Sequence, residues 1–397
     1  MKESELETMR KSFNTVKSRS DSIKNSPSTE RLVNRVGKIK EFSVKNYEML
    51  LSQTELSFAQ NGIECRFAKT SDDALSIIGG LIEEYGAKVI AKAKSNTLIE
   101  IGLKNHIDAE VVETDLGDRI LQLKKTDNKP VHPTGPASHL NVDEIARIVN
   151  DSLDVNVTSE PREIMRAVRS DVLKRLKNAT VGISGANAIA SEEGSCVMVH
   201  NEGNISIVSL KNLHIIVAGI DKIVPTLEDA ISVVKLETIF ATGNYVTSYM
   251  NVISGPSKTA DIEKKLIKNM YGAERVVVIF LDNGRSEAIE ECLYCIGCGN
   301  CIVHCPVYNA VGNEFGFNNY LGGRGVAMSR FIENEETCFN SGLYMCTLCG
   351  LCTINCPLSI PTNEILENMR KLSVDAGFYP KAHGKIKDNI SRNDSPY

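Results

Sequence analysis

Eight of the twelve cysteines fall near the C-terminus and repeat one pattern, Cys295-x-x-Cys298-x-x-Cys301-x-x-x-Cys305-Pro306 and Cys346-x-x-Cys349-x-x-Cys352-x-x-x-Cys356-Pro357. Three thiolates at this interval line a tight loop around three corners of an iron–sulfur cubane, and the fourth corner needs a sulfur from elsewhere. In two-cluster proteins the cysteine before proline serves the other cluster. The spacing therefore predicts two [4Fe-4S] clusters, one held by Cys295, Cys298, Cys301 and Cys356, the other by Cys346, Cys349, Cys352 and Cys305. Each motif would then need the other to fold. Structural zinc, the competing reading of paired C-x-x-C units, takes four ligands rather than a run of three. The third step, the x-x-x gap and the trailing proline, all repeated, argue against it. Cys292 continues the same interval backwards, but only the frame starting at Cys295 reaches Cys305-Pro306 at the right offset. Cys65, Cys196, Cys292 and Cys338 are left as small buried hydrophobes. A minor redox or ligand role stays open for Cys292 and Cys338, which flank the motifs.

What must position these loops is a chain of 397 residues, enough for two domains or one large domain with an appendage. A net charge of −5 makes no case for nucleic acid or an anionic membrane as partner. The longest apolar runs, Val276 to Leu281 and Leu213 to Ile220, are far short of the ~20 residues a membrane helix requires, so direct membrane insertion is not expected. Thiolate clusters and the lack of an export signal point to a reducing cytoplasm. The first thirty residues, rich in Ser, Lys and Glu, read as a frayed, partly helical, solvated arm. Helical spacing from Glu30 to Asn61 follows. Strands at 63–68, 87–93 and 109–113 then alternate with helices at 72–85 and 95–104, which predicts a parallel sheet with crossovers. A long helix begins near Ser159, with Ile164, Val168, Val172, Leu173 and Leu176 as its apolar stripe. Further strands are expected at 180–183, 196–199, 205–210, 213–217, 252–254 and 276–281, the last apolar throughout as a strand buried on both faces is. Between and after the cysteine motifs, Val326 to Glu333 and the stripe Ile365, Leu366, Met369, Leu372 predict helices around the clusters.

Three loops could carry a ligand. Gly182 to Gly194 is glycine-rich enough for its backbone amides to approach an anion, yet it has no G-x-G-x-x-G spacing, and no Walker lysine motif occurs anywhere. Ser254 to Glu263 reads as a strand, a turn and a helix start capped by Ser257 or Thr259. The proline-rich stretch Pro130 to His139 carries His132 and His139, which could handle protons or a metal, or as readily be two unrelated surface histidines.

Lys94-Ser95, Val112 to Gly117, Gly185-Ala-Asn187, Glu192, Asn201 to Asn204, Gly219 to Asp229, Thr247-Ser-Tyr249, Ile253 to Ser257 and Asp282 to Ser286, followed by Cys295 to Tyr308, resemble the lactate-utilisation iron–sulfur proteins. Those join a LUD domain to a helical two-cluster ferredoxin domain, and the motifs stand here in the family's order over roughly residues 60–365. The resemblance implies an α/β fold with a largely parallel sheet of the isomerase and CoA-transferase type, then a small α-helical ferredoxin domain. The expected divisions are a charged arm and helix at 1–60, the LUD-like domain at 61–285, the ferredoxin domain at 286–380 and a tail at 381–397. It also implies an electron-transfer subunit of a complex oxidising lactate, or a related 2-hydroxy acid, to pyruvate. The partners would be a cysteine-rich or flavin-bearing redox subunit and a second LUD protein. With no flavin or nicotinamide fingerprint of its own, the chain would depend on another subunit for the hydride acceptor. The competing reading makes the LUD-like domain a small-molecule enzyme of isomerase or transferase type, with Glu192 as its best carboxylate and His132 and His139 as weaker candidates.

Overall fold

The computed structural model describes residues 1–125 and 129–397, with side chains throughout except at 20–22. Six parallel strands form the main sheet: β1 (Glu64–Ala68), β2 (Val89–Lys92), β3 (Glu110–Glu113), β4 (Val181–Ser184), β7 (Leu213–Gly219) and β12 (Arg275–Leu281), in the order β1-β12-β7-β4-β2-β3. Val276 to Leu281 is buried at every residue, as a central parallel strand covered on both faces must be. A second, mixed sheet of β5 (Ala188–Ala190), β6 (Ser195–His200), β8 (Ile223–Val224) and β9 (Tyr249–Ile253) runs in the order β8-β5-β6-β9. The order of the main sheet reverses between β2 and β4. From β2 the chain moves outward to β3, whereas β4, β7 and β12 progress the other way. Such a switch point opens a crevice beyond the carboxyl ends of the strands.

The amino-terminal segment departs from the solvated arm expected of its composition. It forms α1 (Glu3–Lys24), α2 (Pro27–Lys45) and α3 (Tyr47–Asn61). Leu6, Met9 and Phe13 share one face of α1 and are buried in the same core as Cys292, Ile302, Tyr308 and Leu366 of the cysteine-rich region. α2 contributes Val36 and Ile39 to a core that also holds Ile296 and Cys298. The cysteine region is helical, with helices at Gly322–Ile332, Glu335–Asn340 and Thr362–Asp375, as the apolar spacing predicts. At the C-terminus, Lys381–Asn393 is a helix with no buried residue.

Two local expectations are corrected. Residues 205–210 are not a strand: Asn204–Ser209 is a short helix after Gly203, which has φ of 80°. Ile205 and Val208 form its buried face, and Val208 lies so close to the sheet that a Cβ at Gly182 would stand 2.1 Å from its carbonyl oxygen. No helix begins at 257–263 either. Lys258–Thr259 and Ile267–Lys268 pair as an antiparallel ribbon, and the Thr259 hydroxyl accepts the Asp261 N–H at 3.3 Å within the turn. No helix is long and apolar enough to cross a membrane among the described residues.

Candidate metal centre and adjoining cavity

Both cysteine loops have the same backbone. Gly297 and Gly299 stand at φ of 81° and 74° between the first three cysteines, and Leu348 and Gly350 take φ of 55° and 74° at the matching places of the second loop. A left-handed leucine is uncommon, and its adoption here shows that the loop geometry, not the residue type, is being repeated. Alternation of right- and left-handed residues turns successive amides inward, an arrangement suited to an anionic iron–sulfur group. The N–H groups of Gly297 and Leu348 donate to the sulfurs of Cys295 and Cys346 at 3.4 Å, and that of Tyr308 donates to Cys305 at 3.4 Å.

Each cysteine before proline has a thiol of the other motif among its neighbours. Burial pushes the Cys298 thiol well up, with Cys301, Cys295 and Cys356 adding to it. The Cys356 thiol is raised by burial and then by Cys295 and Cys352. Cys305, pushed up to about 11 by burial, has Cys352 and Cys346 as its neighbouring thiols. A bare set of such thiols stays protonated. Iron would supply the compensating charge and release their protons, so the donor chemistry fits the group. Among the described residues no three His, Cys, Asp or Glu side chains are grouped closely enough to hold a single metal ion. A small cavity of about 20 Å³ lies between the loops, lined by Cys301, Cys305, Cys346, Cys349 and Cys352. Cys298 is buried and Cys349 exposed, so the first set faces inward and the second reaches the surface. Cys292 and Cys338 are buried, with thiols pushed up by burial to about 12 and about 11, in keeping with small core residues.

The first set borders a larger cavity of about 350 Å³ at the carboxyl ends of the parallel strands. Lys94 and Ser95 follow β2, Asp115 follows β3, Gly185 and Asn187 follow β4, Asp221 and Lys222 follow β7, and Arg285 follows β12. Cys295, Gly297, Cys301 and Arg324 close the other wall. At the switch point the two loops nearly touch, for a Cβ on Gly185 would stand 2.6 Å from the Ser95 hydroxyl. The charges on the walls are largely ordered. Lys94 meets Asp115 at 2.8 Å, and burial alone would lower its pKa, but that carboxylate keeps the ammonium charged. The Arg285 guanidinium holds Glu100 at 2.7 Å and Asp221 at 2.9 Å. Burial would raise Asp221, yet Lys222, Arg285 and Lys40 outweigh it and hold the carboxyl well below the usual range. Glu237, pushed up to about 7 by burial, accepts both of its hydrogen bonds from the Asn187 amide, at 3.1 and 2.9 Å.

Of the sequence candidates for catalysis, none forms a reactive cluster. Glu192 is exposed on the turn after β5, its N–H donating to the Pro225 carbonyl, and it does not line the cavity. His132 is buried against the first cysteine loop, where a Cβ at Gly299 would stand 2.6 Å from its Nε2 and the Phe13 ring lies at 5.7 Å. Burial, with Lys94 adding, brings its imidazole down to about 4. His139, also lowered to about 4 by burial, has Lys124, Glu5 and Glu144 as its charged neighbours. The two imidazoles thus occupy different surroundings. Nothing in the sequence marks Glu237 or Arg324. Glu237 sits in the mostly apolar helix Leu227–Thr242 and Arg324 in the loose glycine run 321–325, and neither place carries a spacing signal.

The profile of the LUD domain matches residues 51–281 and that of the 4Fe-4S dicluster domain residues 291–360. Among curated proteins, Lactate utilization protein B of Macrococcus caseolyticus is 33% identical over 345 residues, covering 85% of this chain and 70% of that protein. Proteins of the same name from Geobacillus thermodenitrificans and Bacillus subtilis are 34% and 33% identical with the same coverage. A crystal structure of a DUF162 family protein from Deinococcus radiodurans is 13% identical with a TM-score of 0.32, covering 59% of this chain and 98% of that one.

Proposed function

This chain belongs to the lactate-utilisation iron–sulfur family, a LUD domain followed by a 4Fe-4S dicluster domain, and from that we propose that it is the electron-transfer subunit of a cytoplasmic complex oxidising lactate, or a related 2-hydroxy acid, to pyruvate. The observation that carries the reading is the pair of matched cysteine loops, one bordering the cavity through Cys295 and Cys301 and the other exposed at Cys349. When bound, two [4Fe-4S] clusters pass electrons singly. Cys295, Cys298, Cys301 and Cys356 would hold the inner one, and Cys346, Cys349, Cys352 and Cys305 the outer. Crossed ligation is supported by the neighbours of Cys356 and Cys305 described above. Oxidation of a 2-hydroxy acid releases two electrons and two protons, and the hydride acceptor is assigned to a flavin-bearing or cysteine-rich partner, with a second LUD protein in the same complex.

The test is anaerobic purification of the full chain. Expected are about eight iron and eight sulfide per chain, from eight thiolate ligands. Reduction by a strong reductant should succeed, while lactate oxidation with an artificial acceptor should require added partner subunits and be lost on Cys349→Ser. Stoichiometric zinc without sulfide, or lactate oxidation by the isolated chain, overturns the assignment.

A further inference from the structure

The two cysteine loops are clamped alike. Arg324, in the helix Gly322–Ile332, donates from Nε at 2.9 Å to the carbonyl of Cys292, three residues before Cys295, and its guanidinium lies 5.7 Å from the Tyr320 ring centre. Arg370, in the helix Thr362–Asp375, donates from Nε at 3.3 Å to the carbonyl of Leu343, three residues before Cys346, and its guanidinium lies 5.1 Å from the Tyr344 ring centre. A feature the loops share cannot make their two iron–sulfur groups differ. Lys40 can. Val36, Ile39, Lys40 and Ser43 are spaced along one face of α2 and all are buried, packed where Ile296 and Cys298 share the core. That face carries the Lys40 ammonium, 2% exposed, to the first loop, where its charged neighbours are Asp221, Lys222, Cys295 and Arg324. Lys40 and Lys92 are the only buried lysines among the described residues. Lys92 meets the Glu113 carboxylate at 2.9 Å. Lys40 has no such contact among the described residues: Nζ donates to the Asp221 main-chain carbonyl, while the carboxylate of Asp221 is engaged by Arg285 at 2.9 Å and Lys222 at 3.5 Å. A buried ammonium without a carboxylate in contact is costly. An iron–sulfur group on four thiolates is an anion that gains a further negative charge on reduction, and beside Cys295 it answers the lysine.

We propose that Lys40 sets the inner [4Fe-4S] group apart from the outer one, its buried charge stabilising the reduced form and so raising the inner midpoint potential. The inference rests on the cluster-bearing reading above and adds to it a residue from the amino-terminal helices. Lys40 touches no reacting atom. It is a positioning residue that acts through the field at Cys295, a field little screened because the charge is buried. Reduction adds one electron to the inner group; no bond is made or broken and the ammonium keeps its protons.

Redox titration of the anaerobically purified, cluster-loaded full chain with dithionite, followed by electron paramagnetic resonance, tests it. The inner signal is identified by Cys298→Ser, which alters the spectrum of its own cluster. Lys40→Gln keeps a donor for the Asp221 carbonyl but removes the charge. At a fixed potential it should lower the reduced-to-oxidised ratio of the inner group roughly tenfold, ~59 mV for a one-electron couple, with the outer midpoint left in place. Lys40→Met, which removes charge and donor together, should give the same shift. A fall with Lys40→Met alone would make the lysine a structural tie and overturn the proposal. So would an inner midpoint unchanged in Lys40→Gln, an equal shift of both midpoints, or a Lys40→Gln protein that cannot hold the inner cluster. Iron and sulfide are measured on every sample. A parent chain without them fails the cluster reading itself, whereas a loaded parent with an indifferent Lys40→Gln fails this inference alone.

Discussion

Replacing Arg285 with methionine is expected to be the most damaging single change outside the cysteines. The guanidinium has five N–H donors, and the structure uses all of them. Nε donates to Asp221 at 2.9 Å, Nη1 to Glu100 at 2.9 Å and to the Asp282 carbonyl at 3.0 Å, and Nη2 to Glu100 at 2.7 Å and to the Tyr320 hydroxyl at 2.8 Å. Glu100 and Asp221 belong to the sheet domain and Tyr320 to the cysteine region, so the side chain joins the two at a buried point. Removing one partner of a buried pair costs about 3–5 kcal/mol, because a charge is left unmatched. Two carboxylates are left here. Glu100 keeps the Asn283 amide at 2.7 Å and the Tyr320 hydroxyl, while Asp221 keeps Lys222 at 3.5 Å. The loss should therefore fall near the middle of that range, about 4 kcal/mol, a large share of the roughly 5–15 kcal/mol that holds a folded chain together. Adding Glu100→Gln to Arg285→Met removes one stranded charge and should recover part of the loss, a non-additivity of about 1–2 kcal/mol. The assay is anaerobic urea unfolding followed by far-ultraviolet circular dichroism and by cluster absorbance together. In the parent the two signals should fall together, since α1 and Arg285 tie the regions into one unit, whereas in Arg285→Met the cluster signal should be lost first. An Arg285→Met protein within 1 kcal/mol of the parent, with coincident transitions, would refute the reasoning.

Two further outcomes are expected. Cys305→Ala should damage the cluster held by Cys346, Cys349 and Cys352 more than the one held by Cys295, Cys298 and Cys301, as read by electron paramagnetic resonance; selective loss of the latter would mean that each motif closes on itself. His214, buried in β7 with Nε2 at 2.8 Å from the Ser184 hydroxyl, has its imidazole lowered by burial from 6.5 to about 4. Its folded value lies below the unfolded one, so its contribution is fully present above pH 6.5 and is lost as pH falls towards 4. At 1.36 kcal/mol per unit, about 2 kcal/mol of that loss falls between pH 6.5 and 5. His214→Gln should flatten the stability difference between pH 7 and 5 by that amount, and an unchanged difference would show that this imidazole does not control it.

The parts legible in the sequence are those whose chemistry is local. Each cysteine loop brings its three sulfurs together within a few bonds, so spacing alone carries the geometry, and the paired positions of Gly297 and Leu348 repeat it even where the residue changes. Burial on both faces writes β12 as an unbroken apolar run, and the parallel strands follow from the alternation. Where a face rather than a run decides, composition misleads. Leu6, Met9 and Phe13 lie one helical turn apart in a stretch of Ser, Lys and Glu, and their spacing, not the average, places α1 in the cluster core. The cavity is harder, because its walls come from segments between Lys94 and Arg324 that meet only once the sheet is assembled. Taken singly, Lys94, Asp115, Asn187, Asp221 and Arg285 read as caps and turn residues. Each nevertheless stands just past the carboxyl end of a strand whose position the apolar pattern does give. The information that unites them is strand order, above all the reversal between β2 and β4, and no short-range pattern encodes it. Glu237 shows the remaining gap. Its meaning comes from burial beside Asn187 and Gly297, long-range neighbours in the chain, so a single glutamate in an apolar helix acquires chemistry only from the fold around it.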